Sequence, residues 1–206
     1  MEKTNVMRIL DQKKIKYKEY YYGDTEAVSG VDVAKVLNQD PNKVFKTIVT
    51  VAKSGIHYVF MLPVEKELDF KKSASSVSEK NIEMIPQKEL LPITGYVHGG
   101  CSPIGLKKPF KITIDSSAQN FAEIIFSAGK IGYQVEVSLE DLKKVINYQY
   151  RDITKWFMLN NRISAWYTSF SWIFIWRTFF FFINNYCSIC IISNKLKCVY
   201  FFFFHS

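Results

Sequence analysis

Apolar and polar positions change period several times along the chain, and each change marks an element. Thr4 stands where an N-cap hydroxyl belongs, ahead of Val6, Ile9 and Leu10 at helical spacing, and the polar run Asp11 to Lys14 ends that helix. Tyr17 to Tyr22 reads as a strand and Gly23 to Gly30 as a loop. Val31, Val33, Ala34 and Leu37 form a short helix that Asn38 to Pro41 breaks. Val44 to Ala52 is the strongest β run. The Ser54-Gly55 turn signal returns the chain as His57 to Leu62, and Pro63 closes this antiparallel partner.

Downstream, the pattern predicts a helix over Leu68 to Val77, a strand over Asn81 to Ile85 and a helical turn over Gln87 to Leu91. Further strands are predicted at Lys111 to Asp115, Ala122 to Phe126 and Tyr133 to Val137, the last two joined by a hairpin turn between Gly129 and Gly132. Ser138 to Asp141 resembles a capping box that opens a final helix through Ile146. Strands outnumber helices and are mostly joined by turns. The expectation is an α+β domain, compact, with a mixed, barrel-like sheet flanked by helices.

Composition divides the 206 residues at about position 155. Every Gly, every Pro and every acidic residue lies before Trp156, although average usage predicts about four Gly and two or three Pro in a stretch as long as the remainder. Residues 1–155 are read as one domain and 156–206 as a tail that is no domain. Each part carries a net +4, so the domain is too mildly basic for a bulk nucleic-acid binder and is left with a local patch for meeting a polyanion.

Two readings of the tail stand beside each other. Trp166 to Ile183 is long enough to cross a bilayer if helical. Arg177 would cost roughly 2.5 to 3.5 kcal/mol there, while nine Phe and Ile return roughly 0.3 to 0.6 each, which makes insertion marginal. Alternatively, Phe, Ile, Asn, Tyr and Lys are the residues of AT-rich codons, and read-through or a frameshift would produce this composition. The second reading is favoured, and a membrane partner is expected only if the tail is genuine. Cys187 and Cys190 have the spacing of half a zinc site without a second pair. The start Met1 to Asn5 lacks an apolar signal core and Cys101 is the domain's one cysteine, so a reducing, cytoplasmic setting is expected.

Within the domain, Lys46 shares a strand face with Val44 and Ile48. Either that face is interior and a cation sits at the mouth of an apolar cavity, or it is the solvent face of an edge strand, where lysine blunts aggregation. The segment Thr94 to Lys108 concentrates four glycines. Its adjacent Gly99 and Gly100 let backbone approach a ligand and offer amide groups to a phosphate or a developing oxyanion. Lys107 and Lys108 follow, open to phosphate or to solvent. A Cys101 nucleophile paired with His98 lacks an orienting third group, and no His, Cys and carboxylate set has metal-ligand spacing. The residues argue against a triad hydrolase and a zinc enzyme.

Five pieces in unbroken order carry a resemblance: Val44 to Ile48, Leu68 to Lys72, Thr94 to Lys108, Ile114-Asp115 and Phe126 to Lys130. Together they resemble the bacterial YbaK/EbsC family, Cys-tRNA(Pro) deacylases related to the editing domain of prolyl-tRNA synthetases, over roughly residues 3 to 153. The resemblance implies a barrel-like mixed fold and hydrolysis of the ester joining a misattached cysteine to the tRNA 3′ end, without metal or organic cofactor. It implies Lys46, Gly99 and Gly100 as catalytic positions, and Tyr22 (with Tyr20 and Tyr21 as register alternatives), Tyr96, Ser127 and Gln134 as substrate-binding ones. Gln134 departs from the Asp of well-known members. The implied mechanism uses the substrate's own thiol, with the protein holding the conformer. The implied partners are the aminoacyl-tRNA 3′ end and prolyl-tRNA synthetase. A non-catalytic tRNA- or nucleotide-binding regulator on the same fold is the alternative, made plausible by Gln134.

Overall fold

The computed structural model describes residues 2–27 and 29–155. The tail, with its proposed read-through or anchor, lies outside them. Helix α1 (Asn5–Gln12) starts where Thr4 accepts a hydrogen bond from the Met7 amide, and it buries Val6, Met7 and Leu10. Strand β1 (Tyr17–Tyr21) leads to α2 (Gly30–Val36), then to the hairpin of β2 (Phe45–Ala52) and β3 (His57–Pro63). Helix α3 (Phe70–Ser76) is capped by Asp69, whose carboxylate accepts from two amides. After it come β4 (Ile82–Met84), α4 (Gln87–Thr94), β5 (Lys111–Asp115), β6 (Glu123–Ser127), β7 (Tyr133–Ser138) and α5 (Leu139–Val145). Gly95 ends α4 in the left-handed conformation, at φ 85°.

An α+β architecture is therefore observed, and the mixed sheet takes the form of two sheets stitched together. One has the order β1-β7-β6 and is antiparallel throughout. The other has the order β4-β2-β3-β5 and ends in β8 (Tyr148–Arg151). In the larger sheet β3, β5 and β8 run parallel, while β2 is antiparallel to both neighbours. The seam is a parallel bridge between Val44 and Ile125, reinforced by the Ile125 amide donating to the Lys43 carbonyl at 2.9 Å.

Alternation puts each sheet's apolar residues on the faces that meet. Ile124, Phe126, Val135 and Val137 from one sheet pack with Phe45, Val49, Val59, Met61 and Ile114 from the other, and α1 closes that core. Phe60 and Leu62 point to the opposite face of the larger sheet, which α3 covers with Ala74 and Val77. A third cluster, Ala34, Val44, Val64 and Ile125, lies under α2 at the seam.

One irregularity positions the site. β4 pairs only with Thr50 to Ala52, so the first half of β2 has no strand on that edge. The Val49 carbonyl accepts from the Ile85 amide at 3.3 Å there. Backbone alternation therefore aims the amide and carbonyl of Thr47 at the same edge, where no strand meets them.

Candidate active site

A cavity of about 530 Å³ opens along this free edge of β2. Lys46 and Thr47 enter it from β2, Tyr22 from just past β1, and Ser127 and Gln134 from β6 and β7, where the two are cross-strand partners. Phe45, Val49, Ile85 and Leu90 supply an apolar wall, and Gly99 and Cys101 close the far side. The volume lies within the ordinary range of small-molecule sites.

Of the two readings of Lys46, the structure shows the first. The side chain is half-buried and lines the cavity, and its Nζ donates to the Val64 carbonyl at 3.0 Å. Burial lowers its pKa below the ordinary lysine value, opposed by the charge of Glu67. Such a cation is less screened than one in water and acts more strongly on a nearby developing charge.

Gly99 is the third residue of a turn in which the Gly100 amide donates to the Val97 carbonyl at 3.0 Å. Its φ of 81° is what a type II turn requires at that position, and a Cβ-bearing residue would be strained there. The turn spends the Gly100 amide and leaves that of Gly99 available. Gly100 itself packs against the backbone of Lys130 and Ile131, where an added Cβ would come within 3.2 Å of the Ile131 nitrogen. The structure thus brings Gly99 to the cavity wall and not Gly100, whose small size serves packing between loops.

Tyr96 is likewise not at the cavity. Its ring is buried beside Gly129 and its hydroxyl donates to the Ile104 carbonyl at 2.5 Å, so the residue closes the glycine-rich loop onto the core. Among the three neighbouring tyrosines, Tyr22 lines the cavity. Tyr20 donates to Glu136 at 2.6 Å and Tyr21 to Asp24 at 3.0 Å. Ser127 lines the cavity while its hydroxyl accepts from the Gly129 amide at 3.4 Å.

Thr47, Ser29 and Gln87 are polar lining residues that the sequence pattern did not mark as site residues. For Thr47, Oγ1 is buried without a hydrogen-bond partner, as is the Oε1 of Gln134. Each such group costs about 1 to 3 kcal/mol.

Cys101 on this wall is not an activated nucleophile. Burial pushes the Cys101 thiol up to about 12, despite a hydrogen bond with Thr94 that acts the other way, so the sulfur stays protonated at neutral pH. Cys101→Ala is accordingly expected to keep the ester hydrolysis that the family resemblance implies within about threefold of wild type, whereas removal of a true thiolate nucleophile costs several orders of magnitude. A stopped time course on charged tRNA reads the difference.

A cation, a glycine turn, hydroxyl side chains and an apolar wall thus meet at one cavity. Residues 25–145 match the aminoacyl-tRNA editing domain, and the chain belongs to that family. Editing removes an amino acid by hydrolysing its ester to tRNA, so the site is that of a deacylase. The chain is 42% identical over 154 residues to the protein of Enterococcus faecalis named Cys-tRNA(Pro)/Cys-tRNA(Cys) deacylase EbsC, covering 74% of this chain and 94% of that one. Among solved structures, one described as a trans-editing enzyme for prolyl-tRNA synthetase superposes with a TM-score of 0.64 at 19% identity, covering 73% of this chain and 95% of its own. A protein described only as hypothetical gives 0.64 at 16% identity, over 73% and 99%. At these identities the two structures speak to the fold. Among the described residues, no helix is long and apolar enough to cross a membrane.

Proposed function

We propose that this protein clears cysteine from mischarged tRNA(Pro) in trans, and that the substrate's own thiol performs the attack. The observation that carries the reading is the convergence of Lys46, Gly99, Tyr22, Ser127 and Gln134 on one cavity whose lining thiol, Cys101, is held protonated. A cysteinyl ester brings the missing nucleophile. Its thiol loses a proton, the sulfur attacks the ester carbonyl carbon, and the bond to the ribose oxygen breaks as that oxygen takes up a proton. Free tRNA leaves, and the cysteine thiolactone is then opened by water. The intramolecular arrangement supplies the effective concentration. Lys46 and the Gly99 amide stabilise the carbonyl oxygen as it becomes negative. Tyr22, Ser127 and Gln134 hold the aminoacyl group in the reactive conformer.

Such clearance is needed because a proline pocket cannot reject a similar-sized cysteine by contacts alone. The protein's work therefore lies in the cytoplasm alongside prolyl-tRNA synthetase. Comparison of Cys-tRNA(Pro) with Ser-tRNA(Pro) tests the chemistry, because serine places a far weaker nucleophile at the same position. The expected preference for cysteine is about 100-fold in single-turnover rate. Equal rates would defeat thiol assistance. Tight binding of Cys-tRNA without turnover would select the regulatory reading instead.

A further inference from the structure

Thiol attack begins with the loss of the substrate's S–H proton, and a thiol with the ordinary pKa of about 8.5 is mostly protonated at neutral pH. A base near the reacting sulfur therefore speeds the step. Among the described residues, no carboxylate lines the cavity. Cys101 is itself held protonated, and the Lys46 ammonium donates to the Val64 carbonyl. The hydroxyls of Tyr22, Ser29, Thr47 and Ser127 are weak bases. One lining group of the kind that accepts protons near pH 7 remains, the imidazole of His98.

His98 is the second residue of the Val97 to Gly100 turn, and both flanks of that turn are fixed. On one side the Tyr96 hydroxyl is tied to the Ile104 carbonyl at 2.5 Å. On the other, Gly100 packs on the backbone of Lys130 and Ile131, and Cys101 is buried. The turn thus holds His98 at the rim of the cavity, exposed to solvent. Among the described residues its imidazole has neither a hydrogen-bond partner nor an ion pair, so a ring nitrogen is left to take a proton. The charged and titratable groups that face it are Lys46, Tyr22 and Cys101 in the cavity and, on the turn packed against its loop, Lys130, which Glu2 holds at 2.6 Å. We infer that His98 is the proton shuttle of the thiol-assisted reaction. Its unprotonated ring nitrogen takes the S–H proton as sulfur bonds to the carbonyl carbon. The imidazolium then gives that proton to the ribose oxygen as the ester C–O bond breaks. Thiolactone and free tRNA leave, the imidazole is neutral again, and no outside acid or base is consumed.

This inference rests on the deacylase reading, and the experiment separates the two. The full chain and its His98→Ala and His57→Ala variants are assayed on Cys-tRNA(Pro) in single turnover, over a series of added imidazole concentrations, with the enzyme-free rate subtracted at each. His98→Ala is expected to lose about 100-fold, the lower range of general acid–base catalysis. Its rate is expected to rise in proportion to the imidazole added, because the exposed position leaves room for the free base to enter, while wild type does not respond. His57 starts β3 and does not line the cavity, so His57→Ala is expected to match wild type. A rate for His98→Ala within about threefold of wild type would overturn the inference and leave the deacylase standing, as would a loss that imidazole does not restore. No turnover by wild type would remove both.

Discussion

Replacing Lys46 by Ala is expected to lower single-turnover deacylation by about 1,000-fold, the scale seen when a preorganised oxyanion-stabilising group is removed. That loss corresponds to about 4 kcal/mol of transition-state stabilisation. It follows from where the ammonium sits. It is half-buried, held by the Val64 carbonyl, and faces a cavity whose wall is largely apolar, so its field reaches the reacting ester with little screening. The fold is expected to survive. β2 stays paired with β3 from Phe45 to Val51, and the side chain's one hydrogen bond contributes about 1 kcal/mol. Circular dichroism and the melting temperature check this separately from activity. Lys46→Arg is expected to recover little, since a planar fork cannot occupy the position of a compact ammonium beside one carbonyl. Activity within tenfold of wild type in the Ala variant would sink the electrostatic role. An unfolded variant would make the lysine structural.

How far the sequence carries depends on whether the decisive force is local. The β2-β3 hairpin was legible because alternation, the Ser54-Gly55 turn and Pro63 agree. The helix caps at Thr4 and Ser138 were legible because a hydroxyl followed by a free amide is a local arrangement, and the structure shows both side chains accepting as expected. Strand partners are not local. The division into two sheets and the parallel pairing of β3 with β5 depend on which edges meet after some fifty intervening residues. β8 was missed because Tyr148 to Arg151 is only four residues long and follows directly on the helix predicted through Ile146. Its tyrosines join hydroxyl to hydroxyl at 3.2 Å, and Gln149 bonds to Thr113 on the neighbouring strand.

The site shows the same boundary. Lys46 was singled out because a cation in a β run is a local anomaly, although the pattern could not decide which side it faced. Tyr96 and Gly100 sit within the glycine-rich motif, yet the motif's own closure consumes one's hydroxyl and the other's amide. Thr47 escaped notice because alternation places it on the opposite face from Lys46. A cavity at an unpaired strand edge reaches both faces at once, and that edge exists only because β4 is three residues long.

The second large effect concerns stability and pH. Glu136 is buried beside the seam between the sheets, with its carboxylate bonded to the Lys43 ammonium and to the Tyr20 hydroxyl, and with Lys18 at 3.4 Å. Burial alone would raise its pKa, but the hydrogen bonds from Lys43 and Tyr20 outweigh it and leave the carboxyl at about 2. A carboxyl depressed on folding adds stability above its unfolded pKa, near 4.5, and loses that contribution as the pH falls toward 2. The depression amounts to about 3 kcal/mol. Glu136→Gln, which keeps the shape, is therefore expected to cost about 3 kcal/mol at pH 7 and to lower the melting temperature by about 10 °C. The gap between wild type and variant should close as the pH is taken from about 4.5 to about 2. Lys43 precedes Lys46 by three residues and Gln134 shares a strand face with Glu136, so the ion cluster lies on the same two strands as cavity-lining residues. Deacylation by the variant is expected to fall several degrees below its melting temperature, as the seam loosens first. A pH-independent gap would show that the carboxylate's charge contributes nothing to the seam.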